Sequence, residues 1–229
     1  MGNTYVIGDI HGAFRALRQC LERAEFNYNS DRLICLGDVG DGWPDTKQCI
    51  DELLKIKNLI FIFGNHDLWV LQWMKTNVAE NVWVVQGGSA TIASYPEIPK
   101  THIEFFERGV PFFIENNRLF VHAGIRTDLP LSDQDLKVFC WDRTLVQKAW
   151  GLFVKEIQAK LTSFDEIYLG HTPIPFDHPI QSCEVWMMDT GAGWSGTLSM
   201  MEVETKKMFI SDRVPSLYPG VEGRMKKAN

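Results

Sequence analysis

Thr4-Tyr5-Val6-Ile7-Gly8-Asp9-Ile10-His11-Gly12 decides how this chain is read. The first four residues read as a short buried strand, and the strand stops on Gly-Asp. The pattern returns twice. Residues 32–36 form a second apolar run that ends in Gly37-Asp38, and residues 59–63 a third that ends in Gly64-Asn65-His66-Asp67. Between the first two runs, Phe14, Leu17, Leu21 and Ala24 fall at helical spacing. Between the second and third, residues 45–56 read as a helix with Ile50, Leu53 and Leu54 apolar. Strand and helix therefore alternate, which predicts right-handed βαβ units around a parallel sheet. Equal intervals separate His11 from Asp38 and Asp38 from Asn65, close to the roughly 30 residues of one such unit. The three strand ends then lie side by side at the carboxyl edge of the sheet, where open α/β sheets place ligands.

Beyond residue 67 the pattern changes. Residues 68–109 show no clear repeat beyond a helix-like 102–107. Strand-like runs follow at 110–115, 118–121, 166–169, 184–188, 196–203 and 207–211, with a helix expected around 146–161. This predicts an α/β protein in one domain: a βαβ half (1–76), a variable insert (77–109), a strand-rich half (110–211) forming a mixed or antiparallel sheet packed on the first, and a C-terminal tail (212–229). That tail carries Arg224, Lys226 and Lys227 and reads as a wrap or a loose end.

Bulk properties narrow the function classes. At 229 residues, 45% hydrophobic and 23% charged, the chain can bury a sizeable core. A net charge of −6 gives no footprint for bulk nucleic-acid binding. Five cysteines without a C-x-x-C pair read as buried free thiols of a reducing compartment. With no signal-peptide pattern and no run long enough to span a membrane, the expected location is cytoplasmic. Oligomeric state is open.

The chemistry-bearing residues sit at strand ends. Asp9, His11, Asp38 and Asn65 come from the first half. His122 follows Leu119-Phe120-Val121, and His171 follows Ile167-Tyr168-Leu169-Gly170. Singly, such residues are most often caps, turns or satisfied core groups. Jointly they are not. Gly-Asp-x-His-Gly alone should arise by chance with odds on the order of 10⁻³ in a chain of this size. The donor set is oxygen and nitrogen only, which suits manganese, with iron or zinc also fitting. Six donors exceed one tetrahedral ion and suit two divalent ions that share a carboxylate, an arrangement able to lower the pKa of a bound water toward ~7.

Gly8-Asp9-Ile10-His11-Gly12, Gly37-Asp38-Val39-Gly40-Asp41, Gly64-Asn65-His66-Asp67, His122-Ala123-Gly124 and Gly170-His171-Thr172 resemble the calcineurin-like metallophosphoesterases. Within them the chain is most similar to the compact bacterial and phage serine/threonine protein phosphatases. Cys140-Trp141-Asp142-Arg143 and Met188-Asp189-Thr190-Gly191-Ala192 extend the resemblance to about residues 4–203. It implies two packed mixed β-sheets flanked by helices. It implies Asp9, His11 and Asp38 on one metal, and Asp38, Asn65, His122 and His171 on the second, with a hydroxide activated between them as nucleophile. His66 would protonate the leaving oxygen, Asp41 would orient His66, and Arg143, with Asn65, would contact the phosphoryl group. The family pattern after the bridging Asp places an arginine where this chain has Gly42. Its loss opens space that Trp43 is expected to line as a stacking face. Lys47 could replace the charge, and Trp69 and Trp73 are either core or rim. His102 and His178 read as ordinary packing residues.

Three functions compete. The first is a metal-dependent phosphomonoesterase acting on phosphorylated protein and small phosphoesters. The second is a symmetrical diadenosine tetraphosphatase or a 2′,3′-cyclic nucleotide phosphodiesterase. The third is a metal-binding interaction module without catalysis, which a complete ligand and acid set disfavours.

Overall fold

The computed structural model describes residues 2–224. Strands β1 (Thr4–Ile7), β2 (Arg32–Cys35) and β3 (Asn58–Phe61) pair in parallel, with Tyr5 opposite Leu33 and Leu33 opposite Leu59. Helices α1 (Phe14–Arg23) and α2 (Thr46–Leu53) make the crossovers, as the alternation predicts. Their buried residues, Leu17, Cys20, Leu21, Cys49, Ile50 and Leu53, pack on the face of the sheet that carries Tyr5, Ile7, Leu33 and Cys35.

The second sheet holds β4 (Phe112–Glu115), β5 (Arg118–Val121), β6 (Glu166–Leu169), β7 (Ile180–Ser182) and β8 (Val185–Met187), in the order β4-β5-β6-β8-β7. Strands β5, β6 and β8 are mutually parallel, while β4 and β7 add antiparallel edges. Each sheet thus contributes three parallel strands. The strand-rich half does not all stay in this sheet. Strands β9 (Ser199–Glu202) and β10 (Met208–Ile210) return to the first one, where β9 pairs antiparallel with β1. The first sheet therefore reads β10-β9-β1-β2-β3 and is mixed. A hairpin from one end of the chain closing the sheet begun at the other ties the two halves together.

Period-two alternation explains the packing between sheets. Val6, Ile34, Ile62, Phe120, Tyr168, Trp186 and Met201 form one buried layer. Their neighbours Leu119, Val121, Ile167, Leu169 and Val185 face the opposite way, toward a second cluster that includes Leu145 and Ala149. Phe120 and Tyr168 stack at 4.6 Å between centroids.

Several boundaries differ from the sequence reading. Residues 68–109 are mostly helical: α3 (Asn65–Thr76) starts on the third motif itself, and Asn81–Trp83, Ser89–Ser94 and Lys100–Glu107 follow. Short helices with mixed polarity give no sustained period to read. The helix expected at 146–161 is Thr144–Val154, and strand β7 was not anticipated. The five cysteines are free, four of them buried, while Cys183 is half-buried. The tail is a wrap as far as residue 224. Its last part, with Lys226 and Lys227, lies outside the described residues.

Candidate active site

The parallel strands of both sheets end at one place. Strands β1, β2 and β3 deliver Asp9, Asp38 and Asn65, and β5, β6 and β8 deliver His122, His171 and Asp189. Glycine before a ligand lets the ends close up. A Cβ on Gly64 would stand 2.0 Å from Asp38 Oδ1, and one on Gly170 would stand 2.2 Å from Asp9 Oδ1. Backbone amides lock the cluster: His66 N–H donates to Asp38 Oδ1 at 2.9 Å, and His171 N–H to Asp9 Oδ2 at 3.0 Å. Asp67 accepts the N–H groups of Asp38 (2.6 Å), Val39 (2.9 Å) and Gly64 (2.8 Å), stitching the end of β2 to that of β3.

Two groups of convergent donors result, Asp9-His11-Asp38 and Asp38-His122-His171, with Asp38 common to both. His122 Nε2 lies 3.2 Å from Asn65 Oδ1, which brings the sixth expected ligand to the second group. The tautomers follow from the outer hydrogen bonds. His11 Nδ1 faces Gly40 O at 3.1 Å and His122 Nδ1 faces Leu36 O at 2.7 Å, so each Nδ1 carries the proton. Both Nε2 lone pairs then point inward: Asp38 Oδ2 lies 3.7 Å from His11 Nε2 and 3.6 Å from His122 Nε2, and the donor Arg224 Nη1 also reaches His11 Nε2 at 3.2 Å. His171 Nε2 is buried with no partner.

Electrostatics agree. Burial first, then Asp189 and Asp38, push the Asp9 carboxyl well up. Burial and the Asp38 charge raise Asp189 to about 6. Burial also pushes Asp38 up, but the imidazoles of His122, His66 and His11 outweigh it and hold that carboxyl below its ordinary value. Burial lowers the imidazoles of His11, His122 and His171, His171 to about 2. Acceptors converging on acceptors, and carboxylates raising one another, are what a cation relieves. These residues fit two divalent ions.

Beside them sits a buried imidazole–carboxylate pair. His66 Nδ1 lies 2.7 Å from Asp41 Oδ2 in full burial. Asp41 Oδ2 also accepts from Trp83 Nε1 at 2.6 Å, and Oδ1 from Thr91 Oγ1 at 2.7 Å. Trp83 and Thr91 come from the 77–109 insert, and nothing in the sequence marked them. Trp69 meets the His66 ring edge-on at 5.1 Å and packs half-buried against the first core cluster, in which Trp73 is buried.

Arg143 stands outside, its Nε 3.3 Å from Thr172 Oγ1. It lines an open cleft of about 560 Å³ with His171, Asp189, Trp194 and Arg224. Trp43 corrects the sequence reading. Its ring is 1% exposed, donates to Ala192 O at 2.7 Å and stacks on Tyr218 at 5.1 Å, so it offers no face to a substrate. Lys47 is paired with Asp51 on α2. His102 is buried between Tyr95 and Asp51, a packing role as expected. Its counterpart His178 packs beside Phe176.

A sheet sandwich whose strand ends gather two carboxylate-bridged donor groups defines a two-metal hydrolase class. The chain belongs to the calcineurin-like phosphoesterase family, which it matches over residues 2–197. It is similar to serine/threonine-protein phosphatase 1 of Salmonella typhimurium, 26% identical over 88% of this chain and 92% of the relative. It is also similar to the asymmetrical bis(5′-nucleosyl)-tetraphosphatase PrpE of Bacillus cereus, 27% identical over 94% and 95%. The fold matches a solved candidate diadenosine tetraphosphatase with a TM-score of 0.69 at 18% identity, covering 91% and 92% of the two chains. The protein is a phosphoric ester hydrolase. Among the described residues no helix is long and apolar enough to cross a membrane.

Proposed function

We propose that the protein is a metal-dependent phosphomonoesterase of the serine/threonine phosphoprotein type, manganese being the favoured ion. The observation that carries this reading is the buried Asp41–His66 pair at 2.7 Å beside the two donor groups. Asp9, His11 and Asp38 would hold one ion, and Asp38, Asn65, His122 and His171 the other. Bound there, the ions would supply an activated water and neutralise phosphoryl charge. The chain's own residues do the rest. Arg143 presents a guanidinium fork to phosphoryl oxygens from the rim of the cleft. Asp41, held by Trp83 and Thr91, keeps the His66 proton on Nδ1 when the ring is neutral. As imidazolium, His66 can give its Nε2 proton to the departing oxygen. No side-chain nucleophile is required.

A nucleotide reading has its own support: the cleft beside Arg143 is large and bears Trp194 on its wall, and a nucleoside tetraphosphatase is among the full-length relatives. Rates on a phosphopeptide, diadenosine tetraphosphate and 2′,3′-cyclic AMP, measured side by side with Mn²⁺, decide between them. Phosphopeptide preference is expected; a preference for either nucleotide overturns the phosphoprotein assignment. Inactivity with every divalent ion would return the chain to a binding role.

A further inference from the structure

We propose that Arg224, at the end of the C-terminal wrap, is a substrate-phosphate ligand supplied in place of the arginine missing at Gly42. The inference rests on the phosphoesterase reading and adds a residue to it. The wrap is anchored before it reaches the site: Tyr218 is buried, stacks on Trp43 and donates to Asp45 Oδ2 at 2.7 Å. The Arg15 guanidinium lies over the Tyr218 ring, 4.6 Å from its centroid. From there the chain turns at Gly220 (φ 77°) toward the metal-ligand cluster. Arg224 N–H donates to Gly193 O at 2.8 Å, which fixes the residue's backbone.

Its side chain runs along a channel floored by glycine. A Cβ on Gly42 would stand 2.9 Å from Arg224 Cγ, one on Gly87 3.2 Å from the same atom, and one on Gly193 3.2 Å from Cδ. A side chain at position 42 and this path for Arg224 exclude each other. Gly42 also has φ 109°, where any other residue is strained. The space that the lost arginine opened is the space that Arg224 crosses.

The guanidinium ends at the reacting centre. Its carbon lies 4.7 Å from the centroid of the Trp194 ring, and Nη1 lies 3.2 Å from His11 Nε2. Arg224 Nε is buried with no partner. A cation fixed beside a pair of dication sites is repelled by them unless an anion lies between. A tetrahedral phosphoryl group is such an anion, with oxygens enough for both a metal site and a guanidinium fork. Arg143 and Arg224 line the same cleft, so two forks would grip one group.

Phosphate binding separates this idea from the reading beneath it. Calorimetric titration of the Mn²⁺-loaded protein with inorganic phosphate needs no turnover. For R224A, and for a chain ending at Gly223, phosphate affinity should fall about 10- to 100-fold, the scale of one charge-assisted contact. On p-nitrophenyl phosphate kcat/KM should fall comparably, chiefly through KM. R224K should recover part of the loss, and free guanidinium should restore part of the R224A rate. Bound manganese and melting temperature should stay at the wild-type values. Unchanged phosphate affinity in both variants overturns the proposal. So does tighter manganese binding with a faster rate, which would make Arg224 a plug on His11, and so does loss of manganese, which would make it structural. A wild type that binds phosphate without hydrolysing any ester would instead refute the enzymatic reading and leave the Arg224 contact standing.

Discussion

Asp41→Asn isolates the carboxylate that holds the proposed acid. The native group accepts two N–H donors at Oδ2, from His66 and Trp83, and the Thr91 hydroxyl at Oδ1. An asparagine has one acceptor oxygen. Turned toward His66 and Trp83, it leaves its NH₂ facing Thr91 Oγ1, and a hydroxyl can rotate to accept. The fold should therefore survive. What disappears is the negative charge opposite an imidazolium in a fully buried pair. A hydrogen bond to a charged group is worth ~1.5–3 kcal/mol, which converts to a loss of roughly 10- to 150-fold in kcat. Steady-state kinetics on p-nitrophenyl phosphate should show that loss with KM and metal content unchanged. Trp83→Phe removes one of three donors to the same carboxylate and should cost about 5-fold, one ordinary hydrogen bond. Because Asp41 acts only through His66, the double variant Asp41→Asn/His66→Asn should be no slower than His66→Asn alone. If Asp41→Asn keeps nearly the full rate, or if its effect multiplies with that of His66→Asn, the pair does not work as a unit and the reasoning fails.

Four further outcomes are expected. His66→Asn should lose about 10²-fold in turnover with both metals retained; a rate near wild type would remove His66 from the chemistry. Chelation should abolish activity and lower the melting temperature, since ligand at 100 times its Kd stabilises by ~2.7 kcal/mol; an unchanged melting curve would mean the donor groups bind no ion. Asp67→Asn should destabilise by about 1–3 kcal/mol in urea, because an NH₂ then faces at least one of the three amides its carboxylate accepts; a silent substitution would show that those bonds do not hold β2 to β3. Burial holds His102 below its ordinary value of 6.5. The unfolded chain thus takes up a proton near pH 6.5 that the folded chain refuses, so stability is full above that pH and falls as pH drops toward the folded value. His102→Gln should flatten this part of the stability–pH curve, and an equal slope in both proteins would count against the assignment.

What the sequence made readable was local. Each of the six candidate ligands closely follows a run of three or more apolar residues or shares its motif, so a short-range pattern marks it. The mixed character of the first sheet was hidden, because nothing in Ser199–Glu202 says which sheet edge it will meet. Trp83 and Thr91 stand 42 and 50 positions from the Asp41 carboxylate they hold. Arg224 stands 213 positions from His11. A side chain that matters only through a distant partner carries no periodicity.

The backbone at the site shows a different kind of hidden cost. His11, Asp38, Asp41 and His171 have φ of 52°, 49°, 74° and 63°. Local preference at such angles is for glycine, because a Cβ there costs about 1–2 kcal/mol. Four such residues would consume about 4–8 kcal/mol, a large part of the ~5–15 kcal/mol that keeps a domain folded. The chain keeps imidazoles and carboxylates at these positions all the same, and the flanking contacts offset the strain. Asp67 draws in the Asp38 and Val39 amides, Asp38 O accepts from Ile10 and His11, and Thr91 Oγ1 accepts from the Asp41 amide. Four of the eleven non-glycine residues with positive φ among the described residues are candidate ligands or the carboxylate behind His66, and neighbours that face no substrate hold them there, which suits a preorganised site. Asp67 and Thr91 should therefore matter to the site as the residues that would touch metal do: their hydrogen bonds hold Asp38 and Asp41 in the geometry that lets the side chains converge.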